Sequence, residues 1–159
     1  MDVEEDNVWI AAGDGSVERT FAFLNSKGDS KVDVADENGY TPLMAACAYG
    51  RVELVKELLS RGADPNLKDT DGNTAIHHCD YADCLRVLLE AGGKASARNS
   101  EGQTALEVKQ EELADVEQEF SDEEELADGE IPTSQRLSAL VSALVEAGIQ
   151  EENRKKQRG

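Results

Sequence analysis

Apolar residues in this chain fall into short helical stripes separated by polar turns. Leu43, Ala46 and Cys47 share one face of a short segment, and Val52, Val55, Leu58 and Leu59 give the next segment a stripe of its own. Gly62 follows the second stripe, where a glycine ends a helix at low conformational cost. The pattern predicts two short helices in succession, each with one face to bury.

The pair recurs along the chain. The stretch DENGYTPLMAACAYGRVELVKELLSRGADPNLK, Asp36 to Lys68, is 33 residues long, and the next unit restarts in phase at DTDGNTAIHHC, Asp69 to Cys79. A third restart follows at NSEGQTALEV, Asn99 to Val108. Each unit opens on a turn containing Gly39, Gly72 or Gly102. Thr41, Thr74 and Thr104 then stand where an N-cap hydroxyl accepts a backbone N–H, with Pro42 at the first helical position of one copy. Upstream, DNVWIAAGDGSVERTFAFLN, Asp6 to Asn25, aligns with an offset of 35 but lacks the turn.

Residues 36–68 resemble the ankyrin-repeat motif D-x-x-G-x-T-P-L-H-x-A-A-x-x-G followed by V-x-x-L-L-x-x-G-A nearly throughout. The resemblance implies an all-α solenoid of about four helix-turn-helix repeats with short hairpin turns, because such units bury their apolar faces only against neighbours. It implies repeats over 6–35, 36–68, 69–98 and 99–149 of an ankyrin domain spanning 1–150, with the first as an N-terminal cap. Trp9 falls at the position equivalent to Met44 and is expected to pack within that cap. As a whole the chain also resembles small ankyrin proteins of fungi and other eukaryotes.

Two units depart from the template. Gly72 to Leu88 spans 16 residues where Gly39 to Leu58 spans 19, so the third unit should have a shortened first helix. In the fourth, Gly102 to Leu144 spans 42, which predicts an insertion over 111–133 inside the unit. Leu106, Leu113, Val116 and Phe120 keep helical spacing, so the first helix should run on into the insertion. Thr133 or Ser134 then caps a helix whose apolar face is Leu137, Leu140, Val141, Leu144 and Val145, ending near Gly148. Closing the longer loop costs only about 1–2 kcal/mol beyond a short connection, so the fold tolerates it.

Charge adds a second theme. The formal net charge is −18, and residues 107–130 hold 12 Asp or Glu against one Lys, so this segment supplies −11 of it. A field of that sign repels nucleic acid and anionic membranes and attracts basic protein surfaces. No apolar run approaches a membrane span, and the acidic start, Met1 to Asp6, does not read as a secretory leader. With three cysteines in no paired spacing, the chain is expected in the cytoplasm and also the nucleus. Ser121, followed by Asp122, Glu123 and Glu124, resembles a phosphorylation site for acidophilic kinases. The RKKQR stretch, Arg154 to Arg158, is expected to be a disordered basic tail within 151–159.

Candidate chemistry is sparse. His77, His78, Cys79 and Cys84 invite a zinc reading, but successive helical residues project about 100° apart and do not converge on one ion. The family resemblance makes His77 a turn histidine bonded to backbone, and it places Cys79 and Cys84, like Cys47, in packing roles. There is no G-x-S-x-G, no phosphate-cradling Gly-rich loop and no H-E-x-x-H, and Asp14, Asp71, Asp80, Glu37 and Glu101 read as turn and helix-end residues, so no enzyme and no cofactor are expected.

Recognition is what remains. In ankyrin proteins the hairpin tips and exposed first helices form a concave binding surface. Mapped by resemblance, the tips offer Glu37, Asn38, Tyr40, Asp71, Asn73, Glu101 and Gln103, with Thr70 beside them, while the first helices offer Tyr49, His78, Asp80 and Tyr81 beside Ala45 and Ala48. Tyrosines among carboxylates suit partners rich in Lys and Arg. The reading is a monomeric, non-enzymatic module for a protein partner with a basic patch, the acidic insertion assisting capture. Alternatives are an escort for a highly basic client, such as a ribosomal protein or histone, and an inhibitor capping a partner's active surface.

Overall fold

A computed structural model describes residues 7–26, 31–119 and 133–158, and the side chains within these ranges apart from those of 117–119 and 133. Eight helices lie in the described residues: α1 (Val8–Asp14), α2 (Val17–Ser26), α3 (Pro42–Ala48), α4 (Val52–Ser60), α5 (Ala75–His78), α6 (Ala82–Glu90), α7 (Ala105–Glu119) and α8 (Thr133–Gln157). They stack as four pairs. The first helices of the pairs, α1, α3, α5 and α7, touch in sequence along one row, and the second helices, α2, α4, α6 and α8, along the other. The fold is therefore the all-α solenoid that the repeats imply. None of the described helices is long and apolar enough to cross a membrane.

Each hairpin turn is built the same way. Asp36 Oδ1 accepts the N–H groups of Asn38 and Tyr40, Asp69 Oδ1 those of Asp71 and Asn73, and Asn99 Oδ1 those of Glu101 and Gln103. Neighbouring turns are then joined by backbone bonds, Thr70 N–H to Asn38 O and Ser100 N–H to Asp71 O, both 2.9 Å. Gly72 shows why a glycine sits there. Its φ is +75°, and a Cβ would lie 2.7 Å from the Ser100 nitrogen.

Beyond each turn a threonine starts the first helix. Thr41 Oγ1 accepts the Met44 N–H at 3.3 Å, and Thr74 forms a capping box with His77. Leu54, Val55 and Leu58 of α4 and Cys84, Leu85 and Leu88 of α6 are all at most 1% exposed, so each second helix spends one full face on the core. The third unit's first helix is four residues against seven in the second, as its missing residues require.

The last pair differs from expectation in two places. Its second helix passes Gly148 and continues to Gln157, so residues 151–157 of the expected disordered tail are helical. Glu151 Oε1 accepts the Ala95 N–H at 2.7 Å, tying this extension back to the third unit, and Glu152 to Lys156 has the i,i+4 spacing that favours a helix. The buried stripe of α8 is Leu137, Leu140, Leu144 and Ala147, while Val145 is 40% exposed. Helix α7 runs through Glu119, so it extends into the insertion over 111–119 as the apolar spacing led one to expect. Phe120, Ser121 and the acidic run to residue 132 lie outside the described residues.

Candidate functional site

Among the described residues, the first two units carry the most exposed aromatic side chain, Tyr49. Trp9 Nε1 donates to the Tyr40 carbonyl at 2.8 Å, which joins the capping pair to the next hairpin. Tyr49 is 61% exposed, with its ring against Gly13, where an added Cβ would stand 3.1 Å from the ring edge. Ile10, also exposed at 42%, faces the same cleft of about 390 Å³, together with Trp9, Tyr40 and Ala45. Ala45, read from sequence as surface, is buried. Burial, followed by the influence of Tyr49, Cys47 and nearby carboxylates, pushes the Tyr40 hydroxyl up to about 12, so it remains a neutral donor.

Asp14 and Arg51 also line this cleft, and the hairpin tips carry exposed acidic residues of their own. Glu37, Asn38, Asp71 and Glu101 are exposed, and the carboxylates of Glu37, Asp71 and Glu101 lie on successive turns held in register by the backbone bonds. Asn73 and Gln103 face inward more. Asn73 Oδ1 accepts from Asn99 Nδ2 at 3.2 Å, and Gln103 Nε2 donates to both carboxylate oxygens of Glu111. His78 packs edge-on to Tyr40, ring centroids 5.2 Å apart, with Nε2 2.7 Å from Asp69 Oδ2.

Two expected recognition residues, Asp80 and Tyr81, make bonds to the fourth unit. Asp80 Oδ1 accepts from Lys109 Nζ at 2.7 Å, and Glu112 accepts from the same ammonium at 2.9 Å. Burial alone acts to lower the Lys109 pKa, but its bonds to Asp80 and Glu112 outweigh that and leave it raised. The Tyr81 hydroxyl accepts from Arg136 Nη1 at 2.7 Å, with the guanidinium 5.2 Å from the ring centroid. Asp80 and Tyr81 therefore bind the third unit to the two helices of the fourth.

Sequence reasoning missed Lys109 and Arg136. Lys109 had a usable signal, as the single cation among twelve carboxylates. Arg136, in the first turn of α8, had none. His77 behaves as its family position implies: Nδ1 accepts the Thr74 N–H at 3.2 Å and Nε2 lies 3.2 Å from the Gln103 carbonyl of the next hairpin. Cys47, Cys79 and Cys84 are fully buried free thiols, and Cys79 Sγ donates to the Tyr81 carbonyl at 3.1 Å.

Family models agree with this architecture. One for ankyrin repeats in many copies matches residues 24–79, and one for ankyrin repeats in three copies matches residues 53–108. An ankyrin repeat-containing protein of Schizosaccharomyces pombe is 38% identical over 109 residues, covering 68% of this chain and 52% of that protein. Human SH3 and multiple ankyrin repeat domains protein 2 is 41% identical over 76 residues, 46% of this chain and 4% of its own. The E3 ubiquitin-protein ligase KEG of Arabidopsis thaliana is 36% identical over 102 residues, 61% of this chain and 6% of its own. The chain thus spans 52% of the yeast relative's length and only a small part of the other two.

Proposed function

We propose, for a chain that belongs to the ankyrin-repeat family, that it is a non-enzymatic interaction module whose concave face grips a protein partner through a basic patch. Ankyrin repeats generally mediate contact between proteins, and their stacked hairpins supply an extended surface for it. The observation that carries the finer reading is the cleft where exposed Ile10 and Tyr49 meet Trp9 and Tyr40 beside Asp14 and Arg51, on a chain whose hairpin tips are acidic. Rigid aromatic anchors beside carboxylates suit a segment that offers apolar side chains together with Lys or Arg. Glu37, Asn38, Tyr40, Tyr49, Asp71, Asn73, His78, Glu101 and Gln103 line or border this surface in the proposal, and Asp80 and Tyr81 support it from the third unit.

The carboxylates of residues 107–130 steer a basic partner toward that face, an effect that shrinks as salt shortens the screening length. Phosphorylation at Ser121 adds to the same field. The acid density also favours a second reading, an escort that shields a highly basic client until assembly.

Cell extract passed over immobilised chain and eluted with rising salt tests the proposal. Proteins with Lys- and Arg-rich segments should be retained by the native chain and lost with Ile10→Ala/Tyr49→Ala. Equal retention by the double variant would rule out the concave cleft as the binding face. Removing residues 120–132 separates the two readings: slower association at similar affinity fits the module, and loss of most equilibrium affinity fits the escort.

A further inference from the structure

Several cations of this acidic chain have a carboxylate at hand: Lys56, Arg61, Arg86, Arg98 and Lys109 each lie within 3.3 Å of one. Four others gather in one place without that. Lys94, Arg154, Lys155 and Arg158 line a cleft of about 480 Å³ where the loop after α6 meets the last turns of α8, and all four are exposed. None of them forms an ion pair among the described residues. Glu151 also lines the cleft, but its Oε1 is committed to the Ala95 N–H. Both walls are braced. The Gly93 N–H donates to the Leu88 carbonyl at 2.8 Å, and Asn66 of the second unit holds the loop twice, its Oδ1 accepting the Lys94 N–H at 2.9 Å and its Nδ2 donating to the Gly92 carbonyl at 3.1 Å. Basic residues at a helix C-terminus suit the helix dipole, which accounts for those on α8 but not for Lys94, a residue of the third unit.

We propose that this cleft binds a short protein segment rich in Asp and Glu, a second recognition site apart from the concave face. Arginine clusters recognise acidic motifs because each guanidinium takes a carboxylate in paired hydrogen bonds, and exposed Ser96 in the same cleft adds a hydroxyl donor. Charge and shape reject other polyanions. A nucleic-acid strand carries charge along its whole length, so beyond the cleft it meets the field of a chain with net charge −18. No aromatic side chain lines the cleft to stack a base. An anionic membrane spreads its charge over a plane wider than the cleft, against the same field. A protein segment confines its carboxylates to the few residues that fill the site.

The chain's own acidic run falls short of the cleft. Val116 and Leu137 line one pocket, so α7 ends beside the start of α8, and Arg154 lies about 32 Å along that helix from Thr133. Residues 120–132, held at both ends there, reach only about 24 Å at full extension. The net charge also opposes an incoming acidic segment, but a screening length of about 8 Å at physiological salt leaves the four local cations to decide its binding.

Fluorescence anisotropy of a labelled peptide of about a dozen residues, about two thirds of them Glu or Asp, titrated with the full chain in physiological salt, tests this. Saturable binding with a dissociation constant between about 1 and about 100 µM is expected, and none for the same peptide with Gln and Asn in place of the acids. Lys94→Glu and Arg158→Glu, each checked by circular dichroism for an unchanged fold, should each weaken binding about 10-fold. Lys156→Glu changes the net charge equally but lies outside the cleft lining, and it should weaken binding less than about 2-fold. No saturable binding overturns the proposal, as does an equal loss in Lys156→Glu, which would mean a diffuse field and no site. A single-stranded oligonucleotide of similar length that binds more tightly than the peptide gives the cleft to nucleic acid and overturns it too. So does a chain that alone sediments above 17.2 kDa and returns to that mass with Lys94→Glu/Arg158→Glu, since the occupant is then a second copy. Ile10→Ala/Tyr49→Ala leaves peptide binding unchanged, so this test stands apart from that of the concave face.

Discussion

The second and third units use one template but treat the end of the first helix differently. In the second, α3 makes two full turns and closes through Gly50 in the left-handed region, and Arg51 reaches back to the preceding unit, where its Nε donates to Gly13 O at 2.7 Å. In the third, α5 stops at His78, Cys79 leaves the helix in an extended conformation, and Tyr81 occupies the place of Arg51. The Tyr81 ring lies over Gly50, while its hydroxyl and neighbouring Asp80 reach forward to Arg136 and Lys109. Losing three residues thus turned a connection that faces one way into one that holds both neighbours. It also gave Asp80 and Tyr81 bonds to the fourth unit.

The largest effect should fall where the two units are alike. Leu58→Ala and Leu88→Ala each remove a side chain that is 0% exposed, and each should cost about 2–5 kcal/mol in chemical denaturation. A third-unit value far below that of the second would show that the shortened unit is looser than its burial implies. Gly50→Ala comes next. It forces a β-carbon at φ +69° and only 2.8 Å from the Tyr81 ring, for about 1–3 kcal/mol, part of which Tyr81→Ala in the same chain should recover.

Smaller effects sharpen the contrast between the two connections. Lys109→Met leaves Asp80 and Glu112 without their shared cation, and because both carboxylates are about half exposed the loss should be only about 1–2 kcal/mol. Arg51→Ala at the equivalent connection should cost less, about 0.5–1 kcal/mol, as an exposed single bond. The smallest effect is one of pH. Burial holds the His77 pKa below 6.5, opposed by its bond to the Gln103 carbonyl, so the unfolded chain takes up the proton more readily. Its contribution is complete above pH 6.5 and declines as pH falls through the window below that value. Replacing His77 with Met, the residue at this position in the second unit, should flatten that part of a melting-temperature profile.

The second unit was almost fully legible because every local signal agreed: the turn glycine, the capping threonine, Pro42 and the stripe through Val55 and Leu58 all point to one helix pair, although buried Leu54 was not read as part of that stripe. The third was legible in length but not in consequence. Counting residues reveals a shortened helix, whereas the reach of Tyr81 over Gly50 depends on the path of a neighbouring chain. In the fourth, apolar spacing located the helices but misjudged where α8 ends, since its last turns are held by Glu151 and by polar spacing that a hydrophobic stripe does not register. The same limit hid the burial of Lys109, which is held by Asp80 of the α5–α6 connection and Glu112 of α7. Open recognition surface is the least legible property, because a tip residue and an inter-unit staple have the same composition in sequence.

The two helices of the last pair also have separate moorings. Helix α7 rests on α5 and is fastened through Lys109, while α8 rests on α6 and is fastened through Arg136 and Glu151. Neither depends on the covalent link between them for its address. A chain severed between residues 120 and 132 should therefore stay assembled as a two-piece protein, and that joint is a natural socket for grafted cargo.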